Sequence, residues 1–255
     1  ANQAAVDALG RPIREVFSQG TGFTLARLFS PEHGFWGQAE AGAAVAGQKG
    51  PVPVVSLYGG KTRPSRADLE DIDIFVVDLP DIGARYYTYM ATMKACMGAC
   101  AEAGVPMLIL DRPNPLGGVV LEGPIARDTG SPVCAAAIPI RHGMTLGELA
   151  VHFWQTAFSR SKLSLQVNPA DNWPRELMHH ACGLPWAPPS PNMPSAATAL
   201  VYVGTCLFEG TNLNEGRGTD TPFLLLGAPW LDAAAVADAV AEPARAGCRL
   251  EPARY

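Results

Sequence analysis

The run from Asp73 to Tyr87 limits what this chain can become more than any other stretch. Ile74-Phe75-Val76-Val77 is a β-branched and aromatic run of the kind that forms a strand buried on both faces. Pro80 ends it, and Asp81, Arg85, Tyr86 and Tyr87 follow at once. An open α/β sheet builds its sites this way, because ligands sit outside the carboxyl ends of its strands. The competing reading is a capping aspartate with a structural Arg–Asp pair. Recurrence of the same pattern along the chain favours a site.

Phe23–Phe29 reads as a strand that delivers Ser30-Pro31-Glu32-His33-Gly34. Val105–Leu110 reads as another, delivering Asp111-Arg112-Pro113-Asn114-Pro115. Val52–Tyr58 and Leu163–Val167 add two more strands. Between them lie helical stretches at 11–17, 87–103, 145–158, 195–208 and 233–241, and a short helical turn at 67–71. Thr145 and Glu148 have the spacing of a capping box, which gives Glu148 a structural role. Gly59-Gly60-Lys61-Thr62 resembles the tail of a phosphate loop, but Val55 stands where the first glycine belongs, so nucleotide hydrolysis is rejected. No GxGxxG joins a strand to a helix, which leaves a dinucleotide cofactor without a cradle.

Two further stretches carry chemistry. Residues 172–194 are rich in Trp and Pro and make a stiff, aromatic-bearing loop of a kind that suits sugar rings. Glu209-Gly210-Thr211-Asn212-Leu213-Asn214-Glu215-Gly216-Arg217 is the densest polar cluster, and its glycines let the backbone approach a ligand.

A net charge of −5 on 255 residues gives no electrostatic reason to expect nucleic acid or an anionic membrane as partner. No apolar run reaches the roughly 18–20 residues that a membrane span needs, and no signal peptide is visible. Six cysteines without a CxxC, and His179-His180 without an HExxH frame, match no metal pattern, so the expectation is no metal and no cofactor. Cys96 and Cys100, one helical turn apart, read as buried thiols.

Taken together, six motifs resemble one bacterial family, the exo-β-N-acetylmuramidases, long catalogued as DUF1343. They are Ser-Pro-Glu-His-Gly at 30–34, Asp-Leu-Pro-Asp-Ile-Gly-Ala-Arg-Tyr-Tyr-Thr-Tyr at 78–89, Leu-Asp-Arg-Pro-Asn-Pro at 110–115, Arg-His-Gly-Met-Thr-Leu-Gly-Glu at 141–148, Pro-Ser-Pro-Asn-Met at 189–193 and Glu-Gly-Thr-Asn-Leu-Asn-Glu-Gly-Arg-Gly-Thr at 209–219. The resemblance implies a Rossmann-like three-layer α/β domain with a mainly parallel sheet over residues 1–230, and the start of a smaller C-terminal domain at 231–255. The family's first strand would precede Ala1 and most of its C-terminal domain would follow Tyr255. Pro80 stands where the family pattern has Gln.

The implied activity is hydrolytic release of non-reducing-end N-acetylmuramic acid (MurNAc) from peptidoglycan fragments such as MurNAc–GlcNAc, in the periplasm or outside the cell. Such a reaction normally uses two carboxyls. Glu32, with His33 beside it in a tight loop, is the acid/base candidate. Glu122, Glu215 or Asp81 could supply the partner, with Glu122 favoured. Arg85, Arg141 and Arg217 are candidates for the lactyl carboxylate of the sugar. Asp78, Tyr86, Asn114, His142, Asn192, Glu209 and Asn212 complete the expected substrate contacts. A non-catalytic muropeptide-binding protein using the same cleft is the alternative, and a Rossmann-type cofactor enzyme is a more distant one.

Overall fold

The structure, a computed structural model, describes residues 1–240 and 247–255. Five strands lie among them: β1 (Leu28–Ser30), β2 (Val54–Ser56), β3 (Phe75–Val77), β4 (Met107–Leu110) and β5 (Leu165–Asn168). The helices are α1 (Ile13–Gln19), α2 (Tyr89–Ala103), α3 (Leu146–Thr156), α4 (Ala196–Thr205) and α5 (Ala233–Ala239). All strand pairs are parallel. β3, β4 and β5 form one ladder, with Val77 opposite Ile109 and Ile109 opposite Val167; β1 and β2 form a second. Parallel neighbours need crossovers. Here α2 connects β3 to β4 and α3 connects β4 to β5, giving an α/β fold as the sequence implied.

The two ladders meet through rings, with Phe29 and Phe75 centroids 5.0 Å apart. Tyr89, Met90, Met93, Cys96, Met97 and Cys100 recur every three to four residues along α2 and are all buried. Gly104, with φ of 74°, closes that helix by taking the left-handed conformation and donating its N–H to the Cys100 carbonyl. At the start of α3 both halves of the Thr145–Glu148 capping box are formed. Asp111, just beyond β4, accepts from Gly147 N–H at 2.7 Å and Thr145 Oγ1 at 2.6 Å. The strand end is thereby tied to the first turn of the next helix.

Several elements are shorter than the sequence suggests. Only Leu28–Ser30 of the 23–29 run pairs, because the Phe23 ring packs edge-on against Phe17 of α1, 5.4 Å away, instead of joining the sheet. The 52–58 run is trimmed to Val54–Ser56, Val54 also bridging back to Gln48. Residues 1–10 form turns, and the first helix begins only after Pro12. α4 stops at Thr205 and the chain tightens into a 3₁₀ turn over Cys206–Gly210, so Phe208 lies outside the α-helix. α5 ends at Ala239; Ala241, included in the expected helix, lies outside the described residues.

Candidate active site

The loops that leave β1 and β3 converge on one tyrosine. β1 ends in Ser30, and the chain turns through His33, held at a φ of 68°, and Gly34. This turn buries the Glu32 side chain, whose Oε1 accepts from Gly42 N–H at 2.9 Å and whose Oε2 accepts from Thr88 Oγ1 at 2.7 Å. His33 Nδ1 pairs with the Ala39 carbonyl at 2.8 Å, so the 38–45 strap is fastened to both residues. The His33 ring stacks over Tyr87 at 6.5 Å, and Tyr87 meets Tyr89 edge-on at 4.7 Å.

Asp81, just beyond β3, approaches Tyr87 as well. Burial drives the Tyr87 phenol far above its ordinary range, and the charges of Asp81 and Glu32 push the same way. The Tyr87 hydroxyl, close to Ser190 and Tyr89, makes no hydrogen bond of good geometry. Asn2 completes this floor by donating to Tyr89 Oη at 2.6 Å and to the Pro189 carbonyl at 2.9 Å. Tyr58 stands near Glu32; burial and that carboxylate raise its phenol to about 12.

The carboxyl of Asp81 is unusual. Burial lifts its pKa from 3.8 to about 7, against the pull of one hydrogen bond from Gly83 N–H. Its Oδ1 has no partner among the described residues. His142, from the Arg-His-Gly-Met motif, places Nε2 at 3.9 Å from Asp81 Oδ2. His142 Nδ1 accepts from Met144 N–H at 3.2 Å, which puts the ring proton on Nε2, and that atom too is buried without a partner. Burial lowers the pKa of His142 to about 4, assisted by the positive charge of Arg85, so the ring is neutral at pH 7. Native structures leave few buried polar atoms unpaired, and such atoms at strand ends mark where a ligand or water belongs.

The sequence candidates divide on this geometry. Glu32, His33, Asp81 and His142 are gathered at the strand ends. Glu209, Glu215 and Arg217 reach the same cluster through a chain of rings: Arg217 lies 5.0 Å over Phe223, Phe223 meets Tyr202 at 4.7 Å, and Tyr202 meets Tyr87 at 6.5 Å. Arg217 pairs with both of those glutamates. Asn192 contributes a buried, unpartnered Nδ2.

Other candidates are occupied in holding the fold. Both oxygens of Asp78 are taken by the Arg112 fork, at 2.5 and 2.9 Å. Arg85 donates to the Pro124 and Ile138 carbonyls, and Tyr86 to the carbonyls of Tyr202 and Val203. Asn114 accepts from Leu116 N–H and donates to the Met144 carbonyl. Glu122, favoured from sequence as the second carboxyl, is exposed; its contact is with Arg141 at 2.7 Å, and Arg141 also donates to the Leu116 carbonyl. Asn212 is exposed. Asn2 and Thr88 lie outside the candidates that the sequence offers, and Tyr87 and Arg112 enter there only within the polar runs after β3 and β4, with no role of their own. For Arg112 the signal was present, since an arginine directly after a strand can reach an aspartate at the end of the neighbouring strand.

A cavity of about 390 Å³ opens beside this cluster, against the carboxyl ends of β3, β4 and β5, with Asp78, Asp81 and Trp186 in its wall. These features define an open parallel α/β protein with a carboxyl-bearing site at its strand ends.

Comparison with known proteins gives that class a family. Residues 1–197 match the family model described as exo-β-N-acetylmuramidase NamZ, N-terminal, and residues 200–255 match its C-terminal counterpart. The chain belongs to the exo-β-N-acetylmuramidase NamZ family. It is 42% identical over 234 residues to the peptidoglycan β-N-acetylmuramidase NamZ of Bacillus subtilis (strain 168), a match covering 90% of this chain and 56% of that protein. Two crystal structures of DUF1343 family proteins from Bacteroides fragilis are also similar. One has a TM-score of 0.84 at 33% identity, covering 93% of this chain and 61% of the other. The second has a TM-score of 0.73 at 37% identity, covering 89% and 60%. This chain therefore spans a little under two thirds of the length of these relatives.

Proposed function

We propose that this protein is an exo-acting β-N-acetylmuramidase that releases MurNAc from the non-reducing end of peptidoglycan fragments, with MurNAc–GlcNAc as the simplest substrate. Family membership supports the reaction class. The observation that carries the chemistry is that the turn after β3 holds two carboxyls: its own Asp81, with Oδ1 buried and unpartnered, and Glu32, which accepts from Thr88 Oγ1 at 2.7 Å. Glycoside hydrolysis needs one carboxyl protonated and one ionised, and the environment decides which is which. Asp81, raised to about 7 by burial, retains its proton to near neutrality and is the proton donor to the departing glycosidic oxygen. Glu32, whose two oxygens both accept hydrogen bonds, is the second carboxyl, on the side of the anomeric carbon. Exposed Glu122 lacks such a setting.

Arg217 is the guanidinium for the lactyl carboxylate. Arg85 is tied to main-chain carbonyls and Arg141 to the Leu116 carbonyl and Glu122, whereas the hydrogen bonds of Arg217 go to two glutamate side chains. A substrate of this kind supports a location in the periplasm or outside the cell.

The test is release of free MurNAc from MurNAc–GlcNAc. Glu32→Gln and Asp81→Asn should each lower turnover by roughly 10²–10⁴-fold with an unchanged circular dichroism spectrum. Near-normal turnover of either variant removes that residue from the mechanism. Binding of the disaccharide without release by the unaltered protein would make it a saccharide-binding protein instead.

A further inference from the structure

Four of the α-helices among the described residues start on a side chain able to cap them, and three of those side chains do so. Thr145 accepts from Glu148 N–H at 3.1 Å, Ser195 from Thr198 N–H at 3.1 Å and Asp232 from Ala235 N–H at 3.0 Å. Each has an extended backbone, which aims the side-chain oxygen back at the first turn. Thr88, at the start of α2, is the exception. Its φ of −73° and ψ of −10° are already helical, and its carbonyl accepts from Thr92 N–H at 3.0 Å, so its main chain begins the helix. Its hydroxyl caps nothing in α2. It donates instead to Glu32 Oε2 at 2.7 Å, across 56 residues of chain, and both side chains are buried.

A threonine at this position ordinarily satisfies one of the helix's first N–H groups, and α2 forgoes that bond. What the arrangement provides is a fixed carboxyl. Two other groups approach Glu32: Gly42 N–H, 2.9 Å from Oε1, and the Tyr58 phenol. Gly42 is exposed on the 38–45 strap, and Tyr58 is only partly buried. Thr88 is anchored differently, because Tyr89, Met90 and Met93 in the first turns of α2 are wholly enclosed in the core. Its β-branched side chain also has little rotational choice. Among the groups around Glu32, Thr88 is the one whose place the core itself dictates.

We propose that Thr88 is a positioning residue for the glycosidase reaction: its hydroxyl, withheld from the cap of α2, fixes the direction in which the Glu32 carboxyl faces the anomeric carbon. The proposal rests on the hydrolytic reading above, in which Glu32 is the second carboxyl. Thr88 acts through Glu32 and touches no reacting atom. Misplacing a reacting group by about 1 Å can cost on the order of 10²-fold in rate while substrate contacts stay in place. The loss then falls on kcat and not on KM.

The experiment measures hydrolysis of MurNAc–GlcNAc by Thr88→Val, Thr88→Ala and Thr88→Ser, and by Thr88→Val combined with Glu32→Asp, whose shorter side chain cannot reach the hydroxyl. Val keeps the side-chain shape without the hydroxyl, and Ala repeats the test without the branched side chain. Both should lower kcat about 10–100-fold with KM unchanged to within about twofold, and Ser should recover most of the loss. In the Glu32→Asp background, Thr88→Val should change kcat by less than about twofold. Crystal structures should show Glu32 displaced in Thr88→Val and in place in Thr88→Ser. Equal losses in the two Glu32 backgrounds, a Ser variant as slow as Val, a change confined to KM, or an unmoved Glu32 in Thr88→Val would each overturn the proposal. If the unaltered protein releases no MurNAc, or Glu32→Gln still does, the hydrolytic reading fails. The position of Glu32 in the two crystal structures then decides by itself whether Thr88 holds that carboxyl.

Discussion

Asp81 and His142 are a buried pair whose proton affinities are shifted in opposite directions, and that makes their contribution testable. The folded state raises Asp81 to about 7, so it favours the protonated acid; the stability this gives is complete below pH 3.8 and is lost as pH rises through 7. The folded state lowers His142 to about 4, so it favours the neutral ring; that stability is complete above pH 6.5 and is lost as pH falls through 4. Between about pH 4 and 6.5 the two slopes oppose each other and nearly cancel. Denaturant titrations across this window should be almost flat for this pair. Asp81→Asn should expose a rise of stability with pH, and His142→Asn a fall. At pH 8 Asp81→Asn should be more stable than the unaltered protein by on the order of 2–4 kcal/mol while losing turnover. A carboxyl kept at the expense of stability is what a site built for proton transfer requires. Tyr87→Phe tests the hub in the same spirit. Its hydroxyl makes no good hydrogen bond, so its removal should change the melting temperature by no more than a degree or two, whereas kcat/KM should fall at least tenfold.

At the scale of elements, the site is held by the junctions that follow the strands. Gly83 takes a φ of 79°, and a side-chain carbon there would collide with the Asn114 carboxamide. Only glycine lets the turn that donates to Asp81 pack on the turn after β4. Gly83→Ala should therefore destabilise the fold by about 2–4 kcal/mol and lower turnover together. Thr145→Ala removes half of the capping box and the hydroxyl bonded to Asp111. A loss of about 1–2 kcal/mol by thermal denaturation is expected.

Across the whole molecule, the brace from Asp78 to Arg112 links the ends of β3 and β4, and Arg112 reaches on to the Val6 carbonyl. The Asp78 side chain is 3% exposed, so this is an interior ion pair. Removing one partner strands the other charge: Asp78→Asn should cost about 3–5 kcal/mol, with a loss that added salt barely changes. The six cysteines are free thiols, Cys96 and Cys100 buried in α2 as the sequence suggested. Among the described residues no helix is long and apolar enough to cross a membrane.

The sequence by itself determined the local grammar of this protein. Strand runs ending in Pro, Gly and acid residues read directly as a parallel α/β fold with polar groups at the carboxyl edge, and the Thr145–Glu148 cap was legible because it depends on a spacing of three. Its motifs also pointed to the family. Which carboxyls share one environment was decided only by tertiary structure. Glu122 and Asp81 look alike in one dimension, yet one is exposed beside Arg141 and the other is enclosed with His142. Tyr86 and Tyr87 are adjacent letters, yet one hydroxyl caps main-chain carbonyls near the end of α4 and the other is buried without a hydrogen-bond partner. Desolvation and long-range pairing set those differences, and both depend on groups far apart in the chain.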